Sequence, residues 1–212
     1  MTQPATPIKF YTFPVSGNTH RVELLLRALD LPFERIDIDL RGKQQKSEAF
    51  LAMNPFGQVP VIDDNGTIIW DSVAILTYLA LTYDTERKYL PTEPKRFAEV
   101  MAWVSKASGP IAFGLAAARR IHIFNTPADP APAHQIAHDF LHVMDEHLAT
   151  RAWLVDDTLT LADLACYAYV AHAPEGGVDL KPFENVTGWL ARLEAQPFFV
   201  AMPKSKVGLW AE

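Results

Sequence analysis

Residues 54–72 read Asn54-Pro-Phe-Gly-Gln-Val-Pro-Val-Ile-Asp-Asp-Asn-Gly-Thr-Ile-Ile-Trp-Asp-Ser72, and they carry the strongest structural signals in the chain. Two short β-rich runs, 59–62 and 67–70, flank the polar tetrapeptide Asp63-Asp-Asn-Gly66. Asn-Gly between hydrophobic runs is the strongest short-range hairpin signal, so the two runs are predicted to pair as antiparallel strands. Asp71 and Ser72 precede an apolar run, 73–81, and are suited to cap a helix there.

The residues before this stretch predict a strand, a helix and a second strand. Residues 8–13 are short, aromatic and followed by a proline, which is typical of a strand. From residue 18 or 19 to residue 29, apolar positions form one broad helix face, and 33–40 alternates apolar with charged residues. Strand–helix–strand predicts a parallel pair. With a short helix over 42–52, the predicted order is βαβαββα.

After residue 82 the strand signals stop. Residues 83–95 carry two prolines among charged residues and are predicted to be a linker. Helical patterns follow it, at 97–122, 134–149, 160–173 and 186–195. The sequence therefore predicts an α/β N-terminal domain over 1–82, a linker over 83–95 and an all-α C-terminal domain over 96–212.

The composition excludes several classes of protein. The chain has 212 residues, of which 49% are hydrophobic and 21% charged, so a disordered chain is not expected. A net charge of −6 argues against a general nucleic-acid binder and against docking on anionic membranes. The single cysteine, Cys166, excludes an internal disulfide framework. The N-terminus does not resemble a signal peptide, and no apolar run approaches the ~20 residues of a membrane span, so a reducing cytoplasm is the expected compartment.

Val59-Pro60 is the first candidate binding element. A proline that begins a strand donates no hydrogen bond to the ladder, so the backbone of Val59 is left able to pair with an extended ligand. A cis peptide bond would aim those backbone groups outward. The alternative is an ordinary trans proline at a strand start, which the base rate for X–Pro bonds favours.

Two further polar groups complete the candidate site. The helix that begins at Asp71-Ser72 offers unpaired N–H groups and a positive dipole end to a ligand carboxylate, while Asp71 suits an ammonium. Ser16 and Asn18 follow the first strand, where ligands bind in sheets of this kind, and a hydroxyl there would stabilise a thiolate. The alternative for each is simple helix capping. His20 and Arg21 are interpreted as structural.

Other polar residues are interpreted without a chemical role. Thr160 and Asp163 have the spacing of a capping box at the start of a core helix. His134, His138 and His142 could share one helix face, and a solvated face is the preferred interpretation because no histidine spacing matches a metal-binding motif. The sequence has no phosphate-binding glycine loop and no GxSxG serine motif.

Four motifs in this order resemble the cytosolic glutathione S-transferase family over essentially the whole chain. They are Ser16-Gly-Asn-Thr-His-Arg-Val22, Asn54-Pro-Phe-Gly-Gln-Val-Pro60, Asp71-Ser-Val-Ala-Ile75 and Thr160-Leu-Ala-Asp163. The resemblance is to serine-type members, theta-like or zeta-like, or to the bacterial nu-like subgroup. It implies a thioredoxin-like N-terminal domain followed by the helical domain, glutathione as co-substrate, no metal, a homodimer, and detoxification of small electrophiles in the cytoplasm.

The resemblance also assigns roles in glutathione binding. It implies a cis peptide bond before Pro60, with the Val59 backbone pairing with the cysteinyl part of glutathione. Asp71 and Ser72 match the pair that holds the γ-glutamyl group, and Gln58 helps at the same end. Lys46, or Lys43, could reach the glycine carboxylate.

For catalysis, the resemblance ranks Ser16 first as the group that contacts the sulfur, Asn18 second and Tyr11 third. A second, apolar substrate is expected between the domains, against residues of both: Pro14, Val15, Trp103, Ala107, Ser108, Ile111 and Phe113. Cys166 is expected to be inert, which disfavours thiol transfer. Two alternatives stay open, a glutathione-dependent peroxidase and a non-catalytic interaction protein. Phe56 is predicted to be an exposed anchor of the homodimer.

Overall fold

The computed structural model describes residues 3–205, and these form two compact units. The first unit runs to Leu90 and also includes Phe198–Met202. The second unit runs from Pro91 to Pro197 and continues with residues 203–205. The division between Leu90 and Pro91 falls within the segment 83–95 that the sequence predicts to be a linker.

The first unit is built on a four-stranded mixed sheet. Its elements are β1 (Ile8–Thr12), α1 (Gly17–Ala28), β2 (Phe33–Asp37), α2 (Glu48–Met53), β3 (Val61–Asp64), β4 (Thr67–Trp70) and α3 (Ser72–Tyr83). The strand order is β2-β1-β3-β4, in which β1 and β2 are parallel and β3 is antiparallel to both β1 and β4. The predicted thioredoxin-like order, the parallel pair and the antiparallel hairpin are confirmed.

The hairpin turn shows why Asn65-Gly66 is needed there. Both residues have positive φ, 51° at Asn65 and 92° at Gly66, which is the backbone of a type I′ turn. The Gly66 N–H donates to the Asp63 carboxylate at 2.7 Å, which closes the turn locally. The turn therefore fixes the register that brings Val61 opposite Trp70.

The segment between β2 and α2 differs from its prediction. Strand β2 ends at Asp37, and the predicted helix over 42–52 is divided into a 3₁₀ turn at Gln44–Lys46 and the short α2. The Asp39 carboxylate accepts the Gly42 N–H at 2.8 Å, while the Asp39 N–H donates to the Gln44 side chain at 2.9 Å. These side-chain hydrogen bonds turn the chain, and the spacing of apolar residues gives no sign of them.

The two faces of the sheet pack against different helices. Alternate residues of a strand point to opposite faces. On one face Val61 is buried with Phe50 of α2, and the Tyr11 ring meets the Phe50 ring edge-on at 6.3 Å. The neighbouring Phe10 and Ile62 are fully buried on the other side of their strands.

The second unit is all-helical, as predicted. Its elements are α4 (Pro94–Ser108), a π-helical turn (Ile111–Leu115), α5 (Ala116–Ile123), α6 (Ala131–Leu148), α7 (Leu161–Ala171), a 3₁₀ turn (Ala173–Gly176) and α8 (Glu184–Glu194). The single helix predicted over 97–122 is interrupted at Gly109-Pro110, where proline has no N–H to continue the α-helical hydrogen-bond ladder.

The predicted capping box at the start of α7 is confirmed and extends further than predicted. Asp163 accepts hydrogen bonds from the N–H groups of Thr160 at 2.9 Å and Leu154 at 3.0 Å. It also accepts the indole N–H of Trp189 at 2.8 Å. Burial raises the pKa of the Asp163 carboxyl to about 6, although these bonds act to lower it. One carboxylate thus holds α7, the preceding loop and α8 together.

Among residues 3–205, one helical run has the length and composition of a membrane span. Pro94–Ile123 covers 30 residues and contains an 18-residue window with a mean hydropathy of 1.2. A third of that window is buried inside the structure, at 33%. A single helix of this kind is weak evidence for a membrane protein, since core helices of water-soluble folds have the same composition.

Candidate functional site

A cleft in the first unit brings together most of the predicted glutathione-binding residues. Three segments line it: the first turn of α1, the loop before β3, and the junction of β4 with α3. The lining residues are Asn18, Asn54, Phe56, Gln58, Val59, Pro60, Trp70, Asp71 and Ser72. The sequence motifs are up to 54 positions apart, between residues 18 and 72, and the sheet topology brings them to one edge.

The loop before β3 presents the backbone of Val59 to the cleft. The Val59-Pro60 peptide bond is cis, and β3 begins only at Val61. Within the described residues, no hydrogen bond occupies the N–H or the C=O of Val59. An extended ligand could therefore pair with these groups as an added strand does.

Asn54 fixes this loop, a role that the sequence interpretation missed. Its side chain is 2% exposed, donates to the Gln58 carbonyl at 2.8 Å and accepts the Phe56 N–H at 3.0 Å. The Asn54 carbonyl also accepts the N–H of Gly57, whose φ is 59°. The available signal was the Asn54-Pro55 turn dipeptide, because asparagine side chains commonly bond to the backbone two residues on.

Asp71 caps α3 from a strained backbone conformation. Its φ of 71° and ψ of 128° are unusual for a residue other than glycine. One carboxylate oxygen accepts the N–H groups of Val73 at 2.8 Å and Ala74 at 3.1 Å, so the predicted helix cap is confirmed. Backbone strain of this kind concentrates at functional sites. The strained turn places Ser72, the first residue of α3, in the wall of the cleft.

Arg21 lies behind Ser72 and is a second residue that the sequence interpretation did not connect with the site. Its side chain is 1% exposed, and its Nη1 donates to the Ser72 hydroxyl oxygen at 3.4 Å. Because that oxygen accepts from Arg21, the hydroxyl hydrogen of Ser72 can be donated to a ligand. A buried guanidinium and a helix N-terminus together favour an anion at this point.

The first turn of α1 carries the two leading candidates for contact with a sulfur. Ser16 is the N-cap, and its hydroxyl oxygen accepts the Thr19 N–H at 3.4 Å. The hydroxyl therefore keeps its own hydrogen to donate to a thiolate. Asn18, the second residue of α1, lines the cleft, whereas Ser16 is not among the lining residues.

Three other candidates lie outside the cleft lining. The Lys46 ammonium donates a hydrogen bond to the carbonyl of Phe56, in the loop before β3, at 2.8 Å. Lys43 is exposed and has a left-handed backbone at the start of the 3₁₀ turn. The Tyr11 ring packs edge-on against Phe50 at the α2 face of the sheet.

The residues predicted to contact the second substrate have different surroundings. Pro14 and Val15 are half-buried in the loop before α1. In the helical unit, Trp103 packs against the rings of Phe140 at 6.5 Å and His147 at 4.8 Å. The remaining four differ in exposure, since Ala107 and Ile111 are buried while Ser108 and Phe113 are exposed, Phe113 by 67%.

The histidine face predicted on α6 is only partly solvated. His134 and His138 are half-buried, so these two residues are less solvated than predicted, and the His134 ring bonds the Gly176 carbonyl at 2.8 Å. His142 is exposed. Among residues 3–205, no group of three or more histidine, cysteine, aspartate or glutamate side chains could hold a metal ion. Cys166 is buried beside the Trp103 carbonyl.

Comparison with known proteins finds the same family over both units. Residues 6–81 match the family described as "Glutathione S-transferase, N-terminal domain", and residues 121–197 match "Glutathione S-transferase, C-terminal domain". Glutathione S-transferase 3 of Zea mays is 32% identical over 91% of this chain and 91% of its own length. Glutathione S-transferase GstB of Escherichia coli K12 is 30% identical over 86% of this chain and 90% of its own.

Solved structures agree with these sequence matches. A crystal structure of glutathione S-transferase from Pseudomonas fluorescens Pf-5 superposes with a TM-score of 0.85 at 32% identity, covering 93% of this chain and 99% of that one. A glutathione S-transferase structure from Xanthobacter autotrophicus Py2 gives 0.84 at 29% identity, covering 92% and 97%.

Proposed function

Since this chain belongs to the glutathione S-transferase family, we propose that it binds glutathione in the cleft of its N-terminal unit and conjugates the glutathione thiolate to a small apolar electrophile. The observation that carries the proposal is the cleft itself. It combines an unoccupied Val59 backbone with a helix N-terminus at Ser72 that Arg21 supports from behind. A γ-glutamyl thiol peptide needs both kinds of contact.

Each part of glutathione has a proposed partner. The γ-glutamyl carboxylate accepts from the Ser72 N–H and hydroxyl, and its ammonium lies near the Asp71 carboxylate and the Gln58 side chain. The cysteinyl backbone pairs with Val59. The glycine carboxylate is assigned to Lys46, whose ammonium would leave the Phe56 carbonyl at 2.8 Å for a charged partner.

Ser16 and Asn18 are the proposed groups for sulfur activation. A free cysteine thiol has a pKa of about 8.5, so little thiolate exists at neutral pH. The Ser16 hydroxyl, or the Asn18 amide, donates to the sulfur and stabilises the thiolate, and the thiol proton passes to water. A shift of about two pKa units corresponds to about 2.7 kcal/mol. The thiolate then forms a carbon–sulfur bond as the leaving group departs with its electron pair.

The test is an ultraviolet titration of bound glutathione, which reads the thiolate directly. Wild type is expected to hold the thiol with a lowered pKa. Ser16→Ala should return that pKa toward about 8.5 if Ser16 is the donor, and Asn18→Ala should do so if the amide is. Bound glutathione with an unshifted thiol pKa in wild type would contradict the catalytic assignment and favour a non-catalytic glutathione-binding protein.

The electrophile is proposed to be apolar. Pro14 and Val15 adjoin Ser16, and Phe113 exposes a large apolar side chain in the helical unit. Phe113→Ala is expected to raise the KM for an aryl halide while the Kd for glutathione stays unchanged. Glutathione-dependent peroxide reduction would use the same sulfur site. Rates with cumene hydroperoxide and with an aryl halide, measured on one preparation, distinguish the two activities.

We also propose a cytoplasmic homodimer. Phe56 and Trp70, which line one part of the cleft, are 62% and 39% exposed, and their ring centroids lie 5.2 Å apart. Exposed aromatic pairs of this kind are frequent interface anchors. Sedimentation velocity of wild type and Phe56→Ser tests the proposal: wild type should sediment as a dimer and the variant should dissociate at low concentration. A monomeric wild type would contradict it.

A further inference from the structure

A C-terminal segment returns to the helix that carries the sulfur-site candidates. Phe198–Met202 follows α8 in sequence but belongs to the N-terminal unit. Within that unit, the Nε2 atom of His20 lies 2.7 Å from the carbonyl oxygen of Val200. The Phe199 ring meets the His20 ring edge-on, with 6.3 Å between the ring centroids. Met202, at the end of the segment, is 5% exposed. The segment is therefore packed onto α1 through specific contacts.

The bond to Val200 requires a hydrogen on Nε2 of the His20 ring. A carbonyl oxygen only accepts hydrogen bonds, so Nε2 of His20 carries the hydrogen. The ring is 4% exposed, so water competes little for this bond. A hydrogen bond in this setting can hold a side chain in a single orientation.

His20 is also joined to Ser16 through its backbone. The His20 N–H donates to the Ser16 carbonyl at 3.0 Å, as the first bond of α1. The Thr19 hydroxyl bonds the same carbonyl at 2.8 Å and the Phe13 carbonyl at 3.0 Å. The path from Val200 to Ser16 thus consists of one side-chain bond and one backbone bond.

We propose that His20 is a positioning residue for the thiolate site. By tying the segment Phe198–Met202 to the first turn of α1, it sets where the Ser16 hydroxyl and the Asn18 amide stand. This inference rests on the proposed function of those two residues. A displacement of about 1 Å of an orienting group costs an enzyme up to about 10²-fold in rate. Without the contact to Phe198–Met202, the first turn of α1 would be held less firmly, and the Ser16 hydroxyl and the Asn18 amide would be displaced from the sulfur.

Two substitutions separate positioning from core filling. His20→Gln keeps an amide N–H near the place of Nε2, whereas His20→Leu keeps an apolar volume and loses the donor. His20→Leu is expected to raise the thiol pKa of bound glutathione and lower kcat about tenfold, with the glutathione KM changed less than about twofold. His20→Gln should restore most of both values. Phe199→Leu, which leaves α1 untouched, should give a smaller shift in the same direction.

The same titration on Ser16→Ala and Asn18→Ala keeps the two proposals distinguishable. If neither variant shifts the thiol pKa, the proposed sulfur site fails. If either one shifts it while His20→Leu has the wild-type pKa and kcat, the positioning role is overturned and the sulfur site stands. Equal loss in His20→Leu and His20→Gln also overturns the role, because the hydrogen bond to Val200 would then not be its basis. Should His20→Leu fail to fold, Phe199→Leu and His20→Gln carry the test.

Discussion

The buried carboxyl of Asp163 permits a prediction whose sign follows from two opposing effects. Burial raises the pKa of Asp163 and hydrogen bonds from Leu154, Thr160 and Trp189 lower it, with a net value of about 6 against an ordinary value of 3.8. A carboxyl whose pKa is raised on folding stabilises the protein most below about pH 4, and that contribution is lost as the pH rises through about 6. The full loss is about 3 kcal/mol, since each pKa unit is worth about 1.4 kcal/mol.

Asp163→Asn isolates this contribution. The asparagine side chain has no charge to desolvate, but its amide nitrogen faces at least one former donor, such as the Thr160 N–H, at a cost of about 1–3 kcal/mol. The variant should therefore be least stable relative to wild type at low pH. Between about pH 5 and about pH 7.5 the difference should shrink by about 1 kcal/mol, because wild type alone loses stability as its carboxyl ionises.

The assay is urea unfolding followed by circular dichroism at several pH values in that range. Groups other than Asp163 cancel when the two proteins are compared at each pH. Trp189→Phe is the matched control, because it removes one of the bonds that lower the pKa and should strengthen the pH dependence. A stability difference that grows with rising pH would show that the pKa of Asp163 is not raised on folding. The bonds to the carboxylate would then outweigh its burial.

Three further predictions concern the site and the helical unit. Ser72→Ala should weaken glutathione binding about tenfold or more in calorimetry, because hydrogen bonds to charged groups contribute about 1.5–3 kcal/mol, and an unchanged Kd would remove Ser72 from the carboxylate site. Gly57→Ala should destabilise the fold more than Gly66→Ala in thermal melts, since both have positive φ but a Cβ at Gly57 would lie 2.6 Å from the Gln45 carbonyl and one at Gly66 meets nothing within 4 Å; equal losses would contradict this. Burial lowers the pKa of His172 against a smaller raising effect of Glu175, so its contribution to stability is present above about pH 6.5 and lost as the pH falls; the stability of His172→Gln should depend less on pH below that value, and parallel curves would contradict the assignment.

The features that could be predicted from the sequence depend on residues close together in the chain. The Asn65-Gly66 turn and the Thr160–Asp163 capping box each require only four residues to form, so their patterns were sufficient. The chain order of strands and helices and the parallel pairing of β1 with β2 followed from the same local signals, because a strand–helix–strand unit leaves little choice of pairing. The position of β1 between β2 and β3 was not predicted.

The features that were missed depend on contacts between distant residues. Arg21 meets Ser72 across 51 positions, and His20 meets Val200 across 180. In sequence both are polar residues of a helix with one apolar face, and nothing near them in the chain identifies a partner. The π-helical turn after Pro110 and the turn at Asp39 were missed for another reason. At Pro110 a missing N–H overrides the periodic helical pattern, and at Asp39 side-chain hydrogen bonds do so.

A crystal structure of the complex with glutathione is the decisive test of the proposed cleft. We expect the γ-glutamyl carboxylate to contact the Ser72 N–H and hydroxyl, the cysteinyl backbone to pair with Val59, and the sulfur to lie within hydrogen-bond distance of Ser16 or Asn18. Glutathione bound in this cleft with its sulfur facing neither side chain would contradict the proposed activation, and glutathione bound elsewhere would contradict the site itself.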